Sequence, residues 1–277
     1  VYYKYKGNMP NNANVTIKDG TKGIASGAFA WCTNLNRVEM PNTVTNIGEV
    51  TFYRCTNLSS IIFSDNITYI GRQALEYTQW YDSQPDGDIY IGKVYYKYKG
   101  EMPESSEVAI KDGTKSITDS AFEDCTNLTA VTIPDSVSVI GESAFENCSG
   151  LTGIIIPNDV KTIGVGAFIE CSKLKSIYIP ESVENIEEAA FALCGNLESI
   201  TVSAENKYYH SDGNCLIDTK NKVLMTGTNN SVIPTDGSVR DIGIYAFTFC
   251  SRLTNITIPE SVRCIDGAAF ACTGLTE

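Results

Sequence analysis

A 23-residue period governs this chain. Phe122, Phe145, Phe168 and Phe191 stand 23 positions apart, and the pairs Phe29/Phe52 and Phe247/Phe270 repeat the interval. Cys32, Cys55, Cys125, Cys148, Cys171, Cys194 and Cys250 keep step with them, three positions after the Phe. A fixed period of this size is the signature of a solenoid. One repeat cannot bury its apolar face alone, so neighbouring coils stack to make a continuous core.

Within one repeat, Leu128-x-x-Val131-x-Ile133-Pro134 alternates apolar and polar residues at its end, the period of a short strand. Proline then closes the strand, because it cannot donate to a ladder. Further along, Ala121 and Cys125 stand at i and i+4, one face of a helical turn, with Ile117 and Phe122 completing an apolar wedge. The spacing therefore predicts an α/β repeat solenoid, each coil one strand plus one short helical or 3₁₀ turn. Strands are expected near 15–17, 38–40, 61–63, 108–110, 131–133, 154–156, 177–179, 200–202, 231–233 and 256–258. Gly48, Gly71, Gly141, Gly164 and Gly243 recur at the second bend, where left-handed backbone is cheap for glycine.

Two insertions break the period. The first, about 76–104, carries Trp80 and Tyr81, then Asp88-Ile89-Tyr90-Ile91, Gly92-Lys93 and Val94-Tyr95-Tyr96-Lys97-Tyr98-Lys99. Two strands joined by a Gly-first two-residue loop predict a hairpin with a type II′ turn. Residues 1–6 repeat the tyrosine strand, so the chain reads as beginning inside a hairpin. It stops at Leu275-Thr276-Glu277, where another strand is due. The second insertion, about 203–230, pairs Asp212–Ile217 with Lys222–Met225 around a polar turn. The expectation is a single solenoid domain over 1–277, part of a longer protein.

The repeat Ile140-Gly141-x-x-Ala144-Phe145-x-x-Cys148-x-x-Leu151-x-x-Ile154-x-Ile156-Pro157 resembles the BspA-like leucine-rich repeats, over nearly the whole chain. That resemblance implies a right-handed leucine-rich-repeat superhelix with a parallel β-sheet on the concave face, short helical turns opposite and two β-hairpin insertions. It also implies a non-catalytic protein, extracellular or at the surface of a host-associated bacterium. Such a protein would act in adhesion or in binding host matrix, plasma or microbial surface proteins. A carbohydrate-binding module, with a glycan as partner, and a structural spacer are the alternatives.

The net charge of −12 disfavours nucleic acid and anionic membrane surfaces. No apolar run is long enough to span a bilayer. Catalysis is hard to place: His210 is the one histidine, and no nucleophile motif supports it. No cofactor or metal is implied. Cysteines at one position of successive coils stack about 4.8 Å apart with parallel side-chain vectors. That favours a ladder of buried thiols, with disulfides or metal as the alternative. Cys215 and Cys264 lie off this ladder, and Cys272 is one residue out of register.

Because side chains alternate along a strand, the outward central positions are Glu39, Ile62, Ala109, Thr132, Ile155, Tyr178, Thr201 and Thr257. The candidate binding face is Arg37, Glu39, Ile62, Thr132, Ile155, Tyr178, Thr201 and Thr257, notable for apolar residues where water is expected. The competing explanation is that β-prone residues simply suit a strand. Trp80, Tyr81, Tyr90 and Tyr96 form the alternative aromatic site, set against plain packing of the hairpin on the core.

Overall fold

A computed structural model describes residues 1, 5 and 7–276 of the chain. The first copy of the tyrosine strand, at residues 1–6, falls largely outside the described residues. Two compact units are present: Val1–Gly100 with Gly113–Asp119, and Glu101–Asp112 with Ser120–Glu277.

In the first unit the long strands Ala13–Thr16, Leu35–Glu39 and Ser60–Ile62 pair in parallel, with Val15, Val38 and Ile61 in register. A second parallel ladder joins Gly23–Ile24, Asn46–Ile47 and Tyr69–Ile70, with Ile24, Ile47 and Ile70 in register. The hairpin Gly87–Ile91/Val94–Lys99 is antiparallel, and its second strand pairs in parallel with Ser116–Ile117. Gly92 alone of the two loop residues is left-handed (φ 57°), the sign pattern of the expected type II′ turn. A Cβ there would meet the Ile67 carbonyl oxygen at 3.0 Å.

In the second unit the long strands are Ser106–Ala109 with Leu128–Thr132, and Ser176–Ile179 with Ser199–Val202. The short ladder runs through Val139–Ile140, Thr162–Ile163 and Asn185–Ile186. The second insertion has one strand more than the two expected. Tyr209–Asp212, Cys215–Asp218 and Val223–Thr226 form an antiparallel meander. Val223–Thr226 then pairs in parallel with Asp241–Ile242, which pairs with Cys264–Ile265. Both insertions thus hand back to the solenoid through a Lys-Val pair. The Lys93 and Lys222 carbonyls accept from Lys115 and Arg240 of the following coil.

The chain is a β-solenoid repeat fold with parallel ladders, and the α/β expectation is corrected. The helix present among the described residues is Gln79–Asp82, capped by the Thr78 hydroxyl, which accepts from the Tyr81 amide at 3.1 Å. The turns opposite the long strands are not helical. Each ladder Phe lies between two left-handed residues, two positions before and two after it: Val50 (φ 45°) and Arg54 (φ 58°) around Phe52, Ser143 and Asn147 (both 52°) around Phe145. A right-handed helix cannot run through such residues. The amides divide their bonds accordingly. Phe52 and Arg54 donate to Ala74 and Glu76 of the next coil, while Tyr53 and Cys55 close turns onto Val50 and Phe52. These backbone donors are satisfied without a helical i−4 bond.

The recurring bend glycines are needed for a different reason than backbone freedom. Gly48, Gly71, Gly164 and Gly243 do not have positive φ. They sit where coils touch: a Cβ on Gly48 would lie 2.4 Å from the Ser26 nitrogen, and one on Gly164 would lie 2.6 Å from the Glu142 nitrogen.

The segments 154–156, 231–233 and 256–258 are not strands. Near the first, the coil-to-coil bonds stretch, 3.5 Å from Thr152 to Thr129 and 3.4 Å from Lys175 to Thr152, so the ladder opens. In the second, the Val232 amide is drawn to the Gly213 carbonyl and the Ser231 hydroxyl to that of Asn214. The third would have added to the second and loses its ladder with it.

Inside, the repeat residues stack on themselves. Phe122, Phe145, Phe168 and Phe191 lie in a column with ring centroids 5.0, 5.1 and 5.4 Å apart and rings within 9° of parallel. Phe29/Phe52 and Phe247/Phe270 do the same at 5.3 and 5.0 Å. Leu35, Val38, Val44, Ile47, Phe52 and Leu58 line one coil's interior and are fully buried.

Candidate functional site

The long strands alternate as their pattern requires, buried-exposed-buried, and the expected outward residues are exposed, Arg37 only partly. In the first unit Arg37, Glu39 and Ile62 lie on long strands. Thr16, Glu39 and Ile62 occupy one register row, and Ile62 is 42% exposed. Arg37 pairs with Glu39 on its own strand at 3.4 Å. Both ends of that bridge are solvated, which makes it weak. In the second unit Thr132, Tyr178 and Thr201 lie on long strands, whereas Ile155 and Thr257 lie on segments that are not strands. Tyr178 is directly opposite Thr201, and Thr132 is opposite Ala109. Ile155, one period before Tyr178, is 82% exposed between buried Ile154 and Ile156, and Tyr178 is 49% exposed.

The aromatic insertion is packed inward. Trp80 meets Phe63 edge-on at 5.0 Å, Tyr81 meets Tyr96 at 6.2 Å, and Tyr90 meets Tyr95 at 5.0 Å. Tyr96 is buried, and its oxygen accepts from the Leu75 amide at 3.2 Å. Burial pushes its phenol well above the ordinary tyrosine range. Burial likewise pushes Tyr81 up to about 12. The Tyr95 hydroxyl donates to Asp88 at 2.7 Å.

The ladder cysteines are free thiols, buried except for Cys32, which is half-buried. Cys55 donates to the Phe29 carbonyl at 2.9 Å, and Cys148, Cys171 and Cys194 donate to the corresponding Phe carbonyls at 3.2 Å. Desolvation pushes the Cys55 thiol up to about 12 and that of Cys250 to about 11. Thiols so protonated are poor nucleophiles. Off the ladder, Cys215 is buried with its sulfur 3.6 Å from the Gly213 carbonyl. Cys264 is exposed and bonds Asp266 at 3.4 Å. The His210 ring pairs with the Thr219 hydroxyl at 2.8 Å. Among the described residues, no group of three or more His, Cys, Asp and Glu side chains could hold a metal ion. No helix among them is long and apolar enough to cross a membrane.

One cluster in the first unit was missed from the sequence. Trp31, Arg54 and Tyr77 occupy the left-handed position two residues after Phe29, Phe52 and Leu75. The Arg54 guanidinium lies 4.8 Å from the Trp31 ring centre, 5.0 Å from that of Tyr77 and 5.5 Å from that of Tyr53. Tyr53 meets Trp31 and Tyr77 edge-on at 6.1 and 5.3 Å. A hydrogen bond to the Tyr53 side chain raises the Arg54 pKa. Trp31 is 62% exposed and Tyr77 52%. Left-handed backbone costs an L-residue roughly 1–2 kcal/mol, and Asn and Asp tolerate it best. The second unit follows that preference at Asp124 and Asn147 but not at Leu193 or Phe249, and the first places Trp31, Arg54 and Tyr77 there. The signal was available: positions 31, 54 and 77 are one period apart.

The family profile described as a BspA type leucine rich repeat region matches residues 3–93, 90–215 and 218–277, in six copies. A search of curated proteins found no match. Among solved structures, a leucine-rich repeat protein from Eubacterium ventriosum superposes with a TM-score of 0.53 at 21% identity, over 95% of this chain and 60% of that one. This chain therefore spans about three fifths of that protein's length. A leucine rich cell surface protein from Faecalibacterium prausnitzii gives 0.44 at 25% identity, over 96% of this chain and 68% of that one. The pneumococcal vaccine antigen PcpA gives 0.47 at 17% identity, over 99% and 62%. The first of these shares the fold, and the profile spans nearly every coil: this protein belongs to the BspA-type leucine-rich repeat family.

Proposed function

We propose that this chain is a non-catalytic binding module, displayed at or outside a bacterial cell surface, that takes a protein ligand on the outward row of its coils, which Ile155 joins from a segment that is not itself a strand. Adhesion to a host matrix, plasma or microbial surface protein is the activity that fits. Ile155 carries the proposal. A large aliphatic side chain 82% exposed, one period from a half-exposed tyrosine, contributes nothing to the core beneath it. Its neighbours Ile154 and Ile156 already fill that core. Apolar and aromatic side chains set among threonines are the anchors of protein interfaces. The acidic net charge favours a neutral or basic partner surface.

The test is capture of purified matrix and plasma proteins and of microbial surface proteins by the immobilised chain. A saturable partner should be lost with Ile155→Asp plus Tyr178→Asp. A partner retained in full by that variant, or no partner across the panel, refutes the proposal.

A further inference from the structure

Arg54 is set among aromatic rings rather than beside an acid. The protein has 33 Asp and Glu residues, and Arg37, Arg240 and Arg252 each pair with one of them. Among the described residues Arg54 pairs with none; the same holds for Arg263, but only Arg54 of the two is in contact with aromatic rings. It is held instead by the rings of Trp31, Tyr53 and Tyr77. All three ring centres lie within 5.5 Å of the guanidinium carbon, and cation–π contacts of this kind do not consume its N–H donors. A planar fork of donors so placed matches a carboxylate, which accepts in the same plane. The repeat does not demand this arrangement. The equivalent positions of the second unit carry Asp124, Asn147, Glu170, Leu193, Phe249 and Cys272, none of them an arginine.

We propose that Trp31, Tyr53, Arg54 and Tyr77 bind a saccharide unit bearing a carboxylate, a uronic or sialic acid type of sugar. The acid group meets Arg54, and the apolar C–H face of the sugar ring lies on the exposed indole and phenol rings. A run of carboxylates on an acidic peptide fits less well. The site offers one cation, on a chain of net charge −12 that repels further negative charge. A single acid on an otherwise neutral ring meets the cation and the aromatic surface together. This site is separate from the strand face and does not depend on it.

The experiment is calorimetric titration of the purified chain with sialyllactose and a galacturonic acid oligomer, alongside lactose and the methyl ester of the oligomer. At least one acidic sugar should bind, and its neutral counterpart should bind at least about tenfold more weakly, the loss expected for a charged hydrogen bond. Arg54→Gln and Trp31→Ala should each reproduce that loss. Arg54→Lys should not restore binding, because it keeps the charge and lacks the fork. Both positions are exposed, so an unchanged thermal midpoint confirms that the variants fold. Tyr178→Asp should leave sugar binding intact. The proposal is overturned if neither acidic sugar binds, if neutral sugars bind equally well, or if Arg54→Gln changes nothing. Tighter binding of a glutamate-rich peptide at the same residues would assign the site to a protein partner and overturn it as well.

Discussion

Phe168→Ala should be among the most damaging single substitutions in the second unit. The ring is fully buried and lies between Phe145 at 5.1 Å and Phe191 at 5.4 Å, parallel to both within 4°. Removing a buried Phe costs roughly 3–5 kcal/mol, from lost transfer energy and the cavity left behind. Each offset-stacked ring pair adds about 0.5–1.5 kcal/mol beyond area burial. Phe168 has two such neighbours, so the loss should fall near the top of that range, about 5 kcal/mol. Phe191 stacks on Phe168 alone, and Phe191→Ala should cost about 1 kcal/mol less. Phe168→Leu keeps most of the volume and loses both ring contacts, so about 1–3 kcal/mol is expected. Both tryptophans, Trp31 and Trp80, lie in the first unit, so fluorescence does not report on this column. Urea unfolding followed by far-ultraviolet circular dichroism, with amide exchange at Phe145 and Phe168, is the assay. A loss below about 1 kcal/mol for Phe168→Ala, or a larger loss for Phe191→Ala, would refute a core held by stacked rings.

Alkaline pH should destabilise the fold through its thiols. The Cys55 thiol ionises near its ordinary value of 9.0 when unfolded and near 12 when folded, so its contribution is complete below pH 9 and is lost as pH rises towards 12. The slope is about 1.4 kcal/mol per pH unit, and Cys55→Ala should flatten the stability curve by that amount in urea titrations from pH 8 to 11. Val50→Asn should raise the thermal midpoint, by about 1 kcal/mol of stability, because a β-branched residue at φ 45° gives way to one that tolerates it. Gly164→Ala should cost about 1–3 kcal/mol, since its Cβ would sit 2.6 Å from a backbone nitrogen. Gly153→Ala, with nothing within 4 Å, should be neutral or stabilising by a few tenths in the same denaturation assay.

The core was legible in the sequence because the period forces it. A Phe returning every 23 positions can only stack on its own copies, and that alone places Ala144, Phe145, Cys148 and Leu151 inside. The outward row followed from strand alternation, which is why Ile155 and Tyr178 could be named in advance. The turn geometry was not legible. Ala121 and Cys125 at i and i+4 have the spacing of a helix, yet two left-handed residues between short turns give the same burial. No propensity scale anticipates Trp31, Val50 or Arg54 in that conformation, because the coil-to-coil bonds impose it. The bend glycines misled in the opposite sense. Their periodicity was plain, but whether a glycine serves φ or contact depends on the neighbouring coil. The third strand of the second insertion, Tyr209–Asp212, has little apolar alternation of its own and exists because Cys215–Asp218 offers it an edge. Residues 154–156 read as a strand and are not one, because pairing depends on a neighbour's distance as well as on sequence.

Biolayer interferometry on a captured protein partner, comparing the wild type with Ile155→Asp/Tyr178→Asp and with Arg54→Gln, tests the proposed strand-face binding most directly. The predicted result is saturable binding by the wild type, weakening of at least about tenfold in the double variant and no change with Arg54→Gln. Equal binding by the wild type and the double variant, with both folded, would contradict it.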